Sequence, residues 1–293
     1  MFFLYQILIT ILVILSPLII FIRILKKKED KKRYKEKFCF SSKKRIDGNL
    51  IWFHGSSVGE LLSILPLVQE LEKNKSINQI LITTSTLSSA QIFKKFSFKK
   101  TIHQFFPIDL IFFSYKFLSY WKPTIAIFVE SEIWPSIFRV LNKKNIPLKL
   151  LNARITKKTF KKWKRSKKFS NSVFQNISIA YPQNEETLNY LKKLNVKKIK
   201  KIGNLKFVNN KQNEFTKLDK NLLKKLNLKK IWCASSTHSG EEIVCSKVHK
   251  TLKKKYKNLL TIIIPRHVHR SNEIADKIKS LNLNVVLHSS KPK

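Results

Sequence analysis

Glycine is almost missing from this chain, with five among 293 residues, and methionine occurs once. Arginine is scarce too: it supplies 8 of the 59 basic residues, so 51 are lysine, against only 18 acidic residues. The three cysteines, Cys39, Cys233 and Cys245, are odd in number and form no CxxC pair. That pattern excludes a disulfide-stapled secreted module and points to a reduced, cytosolic body. A single long hydrophobic run excludes a multi-pass membrane protein. The 43% hydrophobic and 11% aromatic content excludes a disordered tail, and the length suits one or two domains.

What is abundant is lysine. A formal charge of +41 attracts polyanions of any kind. Readers of nucleic acid rely on Arg forks and on aromatics interleaved with basic residues, whereas these lysines are spread along the whole chain. No nucleic-acid partner is expected; an anionic membrane surface and an acidic substrate are.

The one apolar run, FFLYQILITILVILSPLIIFI at 2–22, carries no charge. At 1.5 Å per residue it makes about 31 Å of helix, the thickness of a hydrocarbon core. Its uncharged start and the RILKKKEDKKRYKEK that follows are the reverse of a cleaved signal peptide. We expect a single-pass transmembrane anchor over 1–25, with the body on the cytoplasmic side by the positive-inside rule. A basic juxtamembrane segment, 26–46, follows, with Lys26 to Lys37 on anionic headgroups. The alternative for 2–22 is a buried core helix.

From residue 50, short runs rich in β-branched residues alternate with amphipathic helical stretches. LIWFH, QILITT, TIAIFVE, PLKLLN, SIAYPQ and KKIKKIG are the expected strands. Such alternation means an α/β domain with a doubly wound parallel sheet, here 47–207. The polar, aperiodic stretch 208–221 reads as a linker. In 222–293 the rhythm restarts with IWCASS, LLTIIIP and NVVLHS, three strands only, so the second doubly wound domain is incomplete.

Ligands of open α/β sheets bind beyond the C-terminal ends of the strands, so the loops there hold the candidate residues. His54-Gly-Ser-Ser-Val-Gly-Glu60 joins the first strand to the first helix. Its G-x-S-x-G spacing fits a nucleophile elbow with Ser57 as nucleophile, although such an elbow normally follows several earlier strands. Glu60, in the first helical turn, is either a dipole-compensating residue or a general base toward a sugar hydroxyl. Glu130 ends a second strand, and Glu132, Trp134 and Pro135 follow. We expect Glu132 to cap the next helix and Glu130 to belong to the site.

Arg154 in LNARIT suits a planar anionic partner, and Lys206 in GNLKF follows Gly203 at a strand end. Ser236, Thr237 and His238 bring hydroxyls and amides suited to a phosphate; ordinary capping by Ser239 and Glu242 is the alternative. Arg266 can grip phosphate while His267 hydrogen-bonds a base or ribose. His267 and His269 are poorly spaced for a metal, and no metal site is expected.

WFHGSSVGE, ESEIWP, LNARIT, GNLKF, ASSTHSGEE and PRHVHR, in this order behind an N-terminal anchor, resemble the 3-deoxy-D-manno-octulosonic acid (Kdo) transferase family of lipopolysaccharide synthesis, glycosyltransferase family 30. The resemblance runs through nearly the whole chain. It implies a GT-B fold of two Rossmann-like, doubly wound parallel sheets at the cytoplasmic face of the inner membrane. The implied reaction is an inverting, metal-independent transfer of Kdo from the donor substrate CMP-Kdo to the lipid A precursor, without a cofactor. By the same resemblance Glu60 is the proton acceptor, Glu130 and Lys206 are transition-state stabilisers, and Arg266 and His267 hold CMP.

Members of that family continue through a glycine-rich loop and an Asn-Pro-Leu-Glu motif that complete the nucleotide site, and this sequence contains neither. The donor site is therefore expected to be incomplete. Three outcomes stay open: an inactive remnant that only binds the membrane surface, a fragment of a split protein, or a domain completed by a second chain. A membrane-anchored serine hydrolase using Ser57 is the rival from another class.

Overall fold

The computed structural model describes residues 1–205, 224 and 226–288. Lys206 and the expected linker 208–221 lie outside the described residues. The chain divides into two compact units, Met1–Asn213 and Glu214–Lys293.

Unit 1 is built on a six-stranded sheet of β1 (Leu50–His54), β2 (Gln79–Thr84), β3 (Thr101–Phe105), β4 (Ile125–Val129), β5 (Leu148–Ala153) and β6 (Ile179–Pro182). The strand order is β3-β2-β1-β4-β5-β6 and every pair is parallel. Parallel strands are covered on both faces and so need apolar residues on both. Leu50, Trp52 and Phe53 of β1 are fully buried, as are Ile80, Leu81 and Ile82 of β2. The crossovers run through α2 (Val58–Lys73), α3 (Leu87–Phe93), α4 (Ile111–Trp121), α5 (Pro135–Lys143), α6 (Lys157–Arg165), α7 (Lys167–Phe174) and, after β6, α8 (Glu185–Lys193). The strand order reverses between β1 and β4. A crevice opens at such a switch point, at the C-terminal ends of the two strands.

The expected strand at KKIKKIG is reduced to an isolated bridge between Ala180 and Ile199. Conversely, β3 (TIHQF) escapes a reading by hydrophobic pattern because three of its buried residues, Thr101, His103 and Gln104, are polar. His103 Nε2 lies 2.9 Å from Thr84 Oγ1, and Ser41 Oγ donates to Gln104 Oε1 at 2.8 Å. Burial, then the charge of Arg33, pushes the His103 imidazole down to about 3.

The segment 26–46 is no free basic collar. A 3-10 turn, Arg33–Phe38, carries the buried Glu36, whose Oε2 accepts from the Phe105 amide at 2.7 Å while Oε1 accepts from Arg33 Nε at 2.8 Å. Lys37 Nζ reaches the buried Glu29 at 2.5 Å. A net-charge reading hides these two carboxylates, which fold part of the segment onto the sheet edge. Lys26, Lys27, Lys28, Lys31, Lys32 and Lys35 stay exposed.

The N-terminal run forms α1 (Phe2–Leu25), which is long and apolar enough to cross a membrane and is mostly exposed. Its first turn is docked on unit 1. Tyr5 Oη donates to Asp109 Oδ2 at 2.6 Å, and Gln6 Nε2 donates to Ser136 Oγ at 2.7 Å.

In unit 2, β7 (Lys230–Thr237) and β8 (Leu259–Pro265) pair in parallel beside α9 (Glu241–Lys255) and α10 (Ser271–Lys279). The third strand expected at NVVLHS does not form among the described residues. Residues 283–287 have no strand assignment: Leu283, Val285 and Leu287 are half-buried and Val286 is 84% exposed, so the alternation is present but pairs with no strand among the described residues.

Asp109 shows how the loops beyond the strands are held. Its carboxylate, 3% exposed, also accepts from the backbone amides of Ser136 and Ile137, each at 2.9 Å, and so caps α5 from a distance. Burial outweighs these donors and pushes its pKa up to about 6 from 3.8. A raised carboxylate favours folding below its unfolded pKa and loses that contribution as pH rises through the folded value. The stability of the wild type relative to Asp109→Asn should therefore fall by roughly 3 kcal/mol between about pH 4 and pH 6 and then stay level. Urea titrations across that range check it; a difference independent of pH contradicts it.

Candidate active site

The loop between β1 and α2 is shaped by a capping box. Ser57 is the N-cap, and its Oγ accepts from the Glu60 amide at 3.3 Å. Glu60 Oε2 turns back onto two amides, Ser56 N at 2.6 Å and Ser57 N at 3.2 Å. A Cβ built on Gly55 would lie 3.0 Å from Glu60 Cβ. One of the five glycines is thus spent where the carboxylate folds closest to the backbone. Glu60 Oε1 makes no hydrogen bond among the described residues, and the residue is half-buried. Burial and the charge of Glu132 hold its pKa above the usual glutamate value; the Ser57 and Ser56 amides oppose them, and Glu130 adds to the rise.

Glu132 is not the cap of α5. The N-cap there is Trp134, without a side-chain bond, and Asp109 supplies the missing acceptor. Glu132 instead collects three donors on Oε2: Ser56 Oγ at 2.6 Å, Trp134 Nε1 at 2.8 Å and His54 Nε2 at 3.0 Å. Burial opposes its ionisation, but these bonds, led by that from His54, hold its pKa below the usual value. His54 is fully buried, stacked on Phe106 with ring centroids 3.7 Å apart, and its Nδ1 lies 3.0 Å from Thr83 Oγ1 and 3.2 Å from the Thr83 carbonyl. Both ring nitrogens therefore face acceptors.

Glu130 sits at the end of β4 with φ of 56° and 5% exposure. Left-handed backbone at a non-glycine residue is uncommon and gathers at functional loops. Its amide donates to Leu151 O at 2.9 Å, and its carbonyl accepts from Arg154 N at 3.2 Å, lacing the ends of β4 and β5 together. At the end of β5, Asn152, also left-handed with φ of 51°, accepts the Leu205 amide on Oδ1 at 3.3 Å. That bond brings the residues just before Lys206 to the same rim; Lys206 itself lies outside the described residues.

The switch point thus gathers Glu60, Glu130 and Glu132. Ser57 is occupied as a cap, and no histidine bonds it among the described residues, so the nucleophile elbow has no base. A sequence reading passes over His54, Ser56 and the role of Glu132. The available signal was a polar residue ending a buried apolar strand, LIWFH, opposite a second strand end rich in carboxylates.

In unit 2, Ser236 and Thr237 end β7 and His238 follows it, while Arg266 and His267 follow β8. The Arg266 amide donates to Thr237 O at 3.0 Å, so both groups occupy one rim of that sheet. The capping box of Ser239 and Glu242, the alternative to a phosphate loop, does not form. Gly240 is the N-cap of α9, and Glu242 accepts from Thr237 Oγ1 at 3.0 Å and from Arg270 Nη1 and Nη2 at 3.1 and 3.3 Å. The helix begins one residue later than that box requires, so Glu242 stands at the second helical position and pairs with Arg270.

Solved structures place the architecture in a class. The chain resembles UDP-GlcNAc 2-epimerase from Neisseria meningitidis (TM-score 0.54, 16% identity, 80% of this chain and 70% of the other). It also resembles MnaA of S. aureus in its UDP co-structure (TM-score 0.57, 14% identity, 78% and 65%). At such identities the likeness shows the fold alone: parallel-sheet α/β of the GT-B type.

The sequence comparisons are narrower. A family model described as 3-deoxy-D-manno-octulosonic-acid transferase (Kdo transferase) matches residues 32–209. A Kdo transferase of Rickettsia bellii is 36% identical over 275 residues, 92% of this chain and 65% of that protein. One of Haemophilus influenzae is 31% identical over 248 residues, 82% and 57%. The chain belongs to the Kdo transferase family, a family of glycosyltransferases. It spans roughly half to two thirds of the length of these relatives, from 52% to 65% for the first few.

Ser57→Ala should cost about 1 kcal/mol of stability through loss of the α2 cap and remove no nucleophile. Denaturation together with an esterase screen checks this; a hydrolytic activity abolished by the substitution contradicts it.

Proposed function

We propose that this protein transfers Kdo from CMP-Kdo to a hydroxyl of the lipid A precursor, with Glu60 as general base. The acceptor oxygen attacks the anomeric carbon of Kdo, the bond from that carbon to the CMP phosphate oxygen breaks, and CMP leaves with the electron pair. The acceptor proton passes to Glu60, and attack opposite the leaving group inverts the centre. The scheme uses neither a metal nor a cofactor. The observation that carries it is the state of Glu60: one oxygen fixed by two amides, the other without a hydrogen bond among the described residues, and a proton affinity raised by burial and by Glu132.

The remaining roles come from the resemblance. Glu130 and Lys206 stabilise the transition state; Arg266 and His267 hold CMP, beside the hydroxyls and amides of Ser236, Thr237 and His238. Among the described residues the sheet of unit 2 has two strands, fewer than a nucleotide-binding half commonly has. We place the protein at the cytoplasmic face of the inner membrane, held through α1 and the exposed lysines from Lys26 to Lys35. The docked first turn of α1 favours attachment along that face; a single crossing requires Tyr5 and Gln6 to leave Asp109 and Ser136.

Incubation with CMP-Kdo and tetra-acylated lipid A precursor, followed by mass spectrometry, should show the acceptor gaining Kdo. Glu60→Gln should lower that rate by about 100-fold or more while changing stability by less than about 1 kcal/mol, because glutamine keeps the capping box. Catalysis needs the ionised carboxylate, so activity is lost as pH falls through the raised Glu60 pKa, above the ordinary glutamate range. No gain of mass from a folded sample, or a Glu60→Gln rate near wild type, contradicts the proposal.

A further inference from the structure

Ser56 holds two carboxylates at once. Its amide donates to Glu60 Oε2 at 2.6 Å and its hydroxyl donates to Glu132 Oε2 at 2.6 Å. The hydroxyl also lies 3.0 Å from Ser85 Oγ, and the carbonyl accepts from Ser89 Oγ at 3.2 Å. Every polar atom of Ser56 is therefore engaged, and a shift of Glu132 pulls directly on the residue that holds Glu60.

We propose that Glu132 is a positioning residue for Glu60, acting through Ser56 and itself fixed by His54 and Trp134. The inference rests on reading Glu60 as the base. Two consequences follow from the geometry. First, Oε2 of Glu60 stays on the Ser56 and Ser57 amides, which leaves Oε1 as the oxygen that meets a substrate proton. Second, a carboxylate charge is kept beside Glu60 by a fully buried imidazole, an indole N–H and a hydroxyl. A like charge close by disfavours ionisation of Glu60, and a stronger base results. Among the described residues, the charged groups that act on Glu60 are Glu132 and, more weakly, Glu130, and the titratable group facing Glu132 is His54.

The bonding separates this arrangement from a Ser-His-Glu triad. Ser56 and His54 both bond to Glu132, and no bond joins them to each other, so the histidine is placed to anchor a carboxylate and not to activate a hydroxyl. Trp134 serves the same end, because its indole can only donate. The sequence spaces these groups two positions apart in each of two strand-end loops: the donors His54 and Ser56 flank Gly55, and the acceptor Glu132 and the donor Trp134 flank Ile133.

The test uses the full chain and the substitution Glu132→Gln, which keeps the size of the side chain and removes its charge. The acid limb of the kcat/KM profile should move to lower pH, and the plateau should fall about 10- to 100-fold from misplacement of the base. Glu132→Asp keeps the charge, so its limb should stay near that of wild type while its plateau falls. A folded Glu132→Gln with a lowered plateau but an unmoved limb overturns the proposal, because a merely structural role predicts that result.

A second readout needs no turnover. In substrate-free wild-type protein carrying 13C-carboxyl glutamate, assigned with Glu60→Gln, Glu60 should titrate above Glu132. The reverse order overturns the inference even if Glu132→Gln does not fold. If the wild type transfers no sugar, the base assignment fails on its own, and the titration still decides whether Glu132 sets the proton affinity of Glu60.

Discussion

Two glutamates share one serine at the point where the sheet reverses its strand order. Most of what is distinctive in unit 1 follows from that constraint. Glu60, in the first turn of α2, and Glu132, in the loop after β4, are 72 residues apart, and parallel pairing of β1 and β4 sets the strand ends before them side by side. Ser56 then ties the loops together through its amide and its hydroxyl. Two carboxylates so close repel, and the arrangement persists because their donors are unequal. Glu132 has an imidazole, an indole and a hydroxyl; Glu60 has two backbone amides. The first is held ionised and the second is made reluctant to ionise, so two neighbouring carboxylates differ in proton affinity.

The scarcity of glycine sharpens this picture. Gly55 is where Glu60 packs against its own loop, and a methyl group there would press on the Glu60 side chain. The neighbouring strand ends at Glu130 and Asn152 take left-handed backbone without glycine. Such strain is of order 1 kcal/mol or more per residue and survives only where surrounding bonds over-determine it. Here the lacing of Glu130 to Leu151 and Arg154, and of Asn152 to Leu205, supplies those bonds.

Much of this was legible in the residues. Five of the six strands of unit 1 announce themselves as short apolar runs, and the motifs around Glu60 and Glu130 point to the rim where the strand order reverses. Three things were not legible. β3 carries a buried histidine and glutamine whose partners, Thr84, Arg33 and Ser41, come from elsewhere in the chain. Glu132 precedes a proline at the first helical position, which mimics a cap, whereas the acceptor for α5 is Asp109 from the loop after β3. Residues 283–287 have a strand's alternation but no pairing partner among the described residues. In each case the deciding contact is long-range, and local pattern carries no record of it.

A structure of the chain bound to CMP and the lipid A precursor tests the central claim most directly. The claim predicts the acceptor hydroxyl about 3 Å from Glu60 Oε1, with Oε2 still on the amides of Ser56 and Ser57. An acceptor hydroxyl seated against another carboxylate, with Glu60 turned wholly into its capping box, would contradict it.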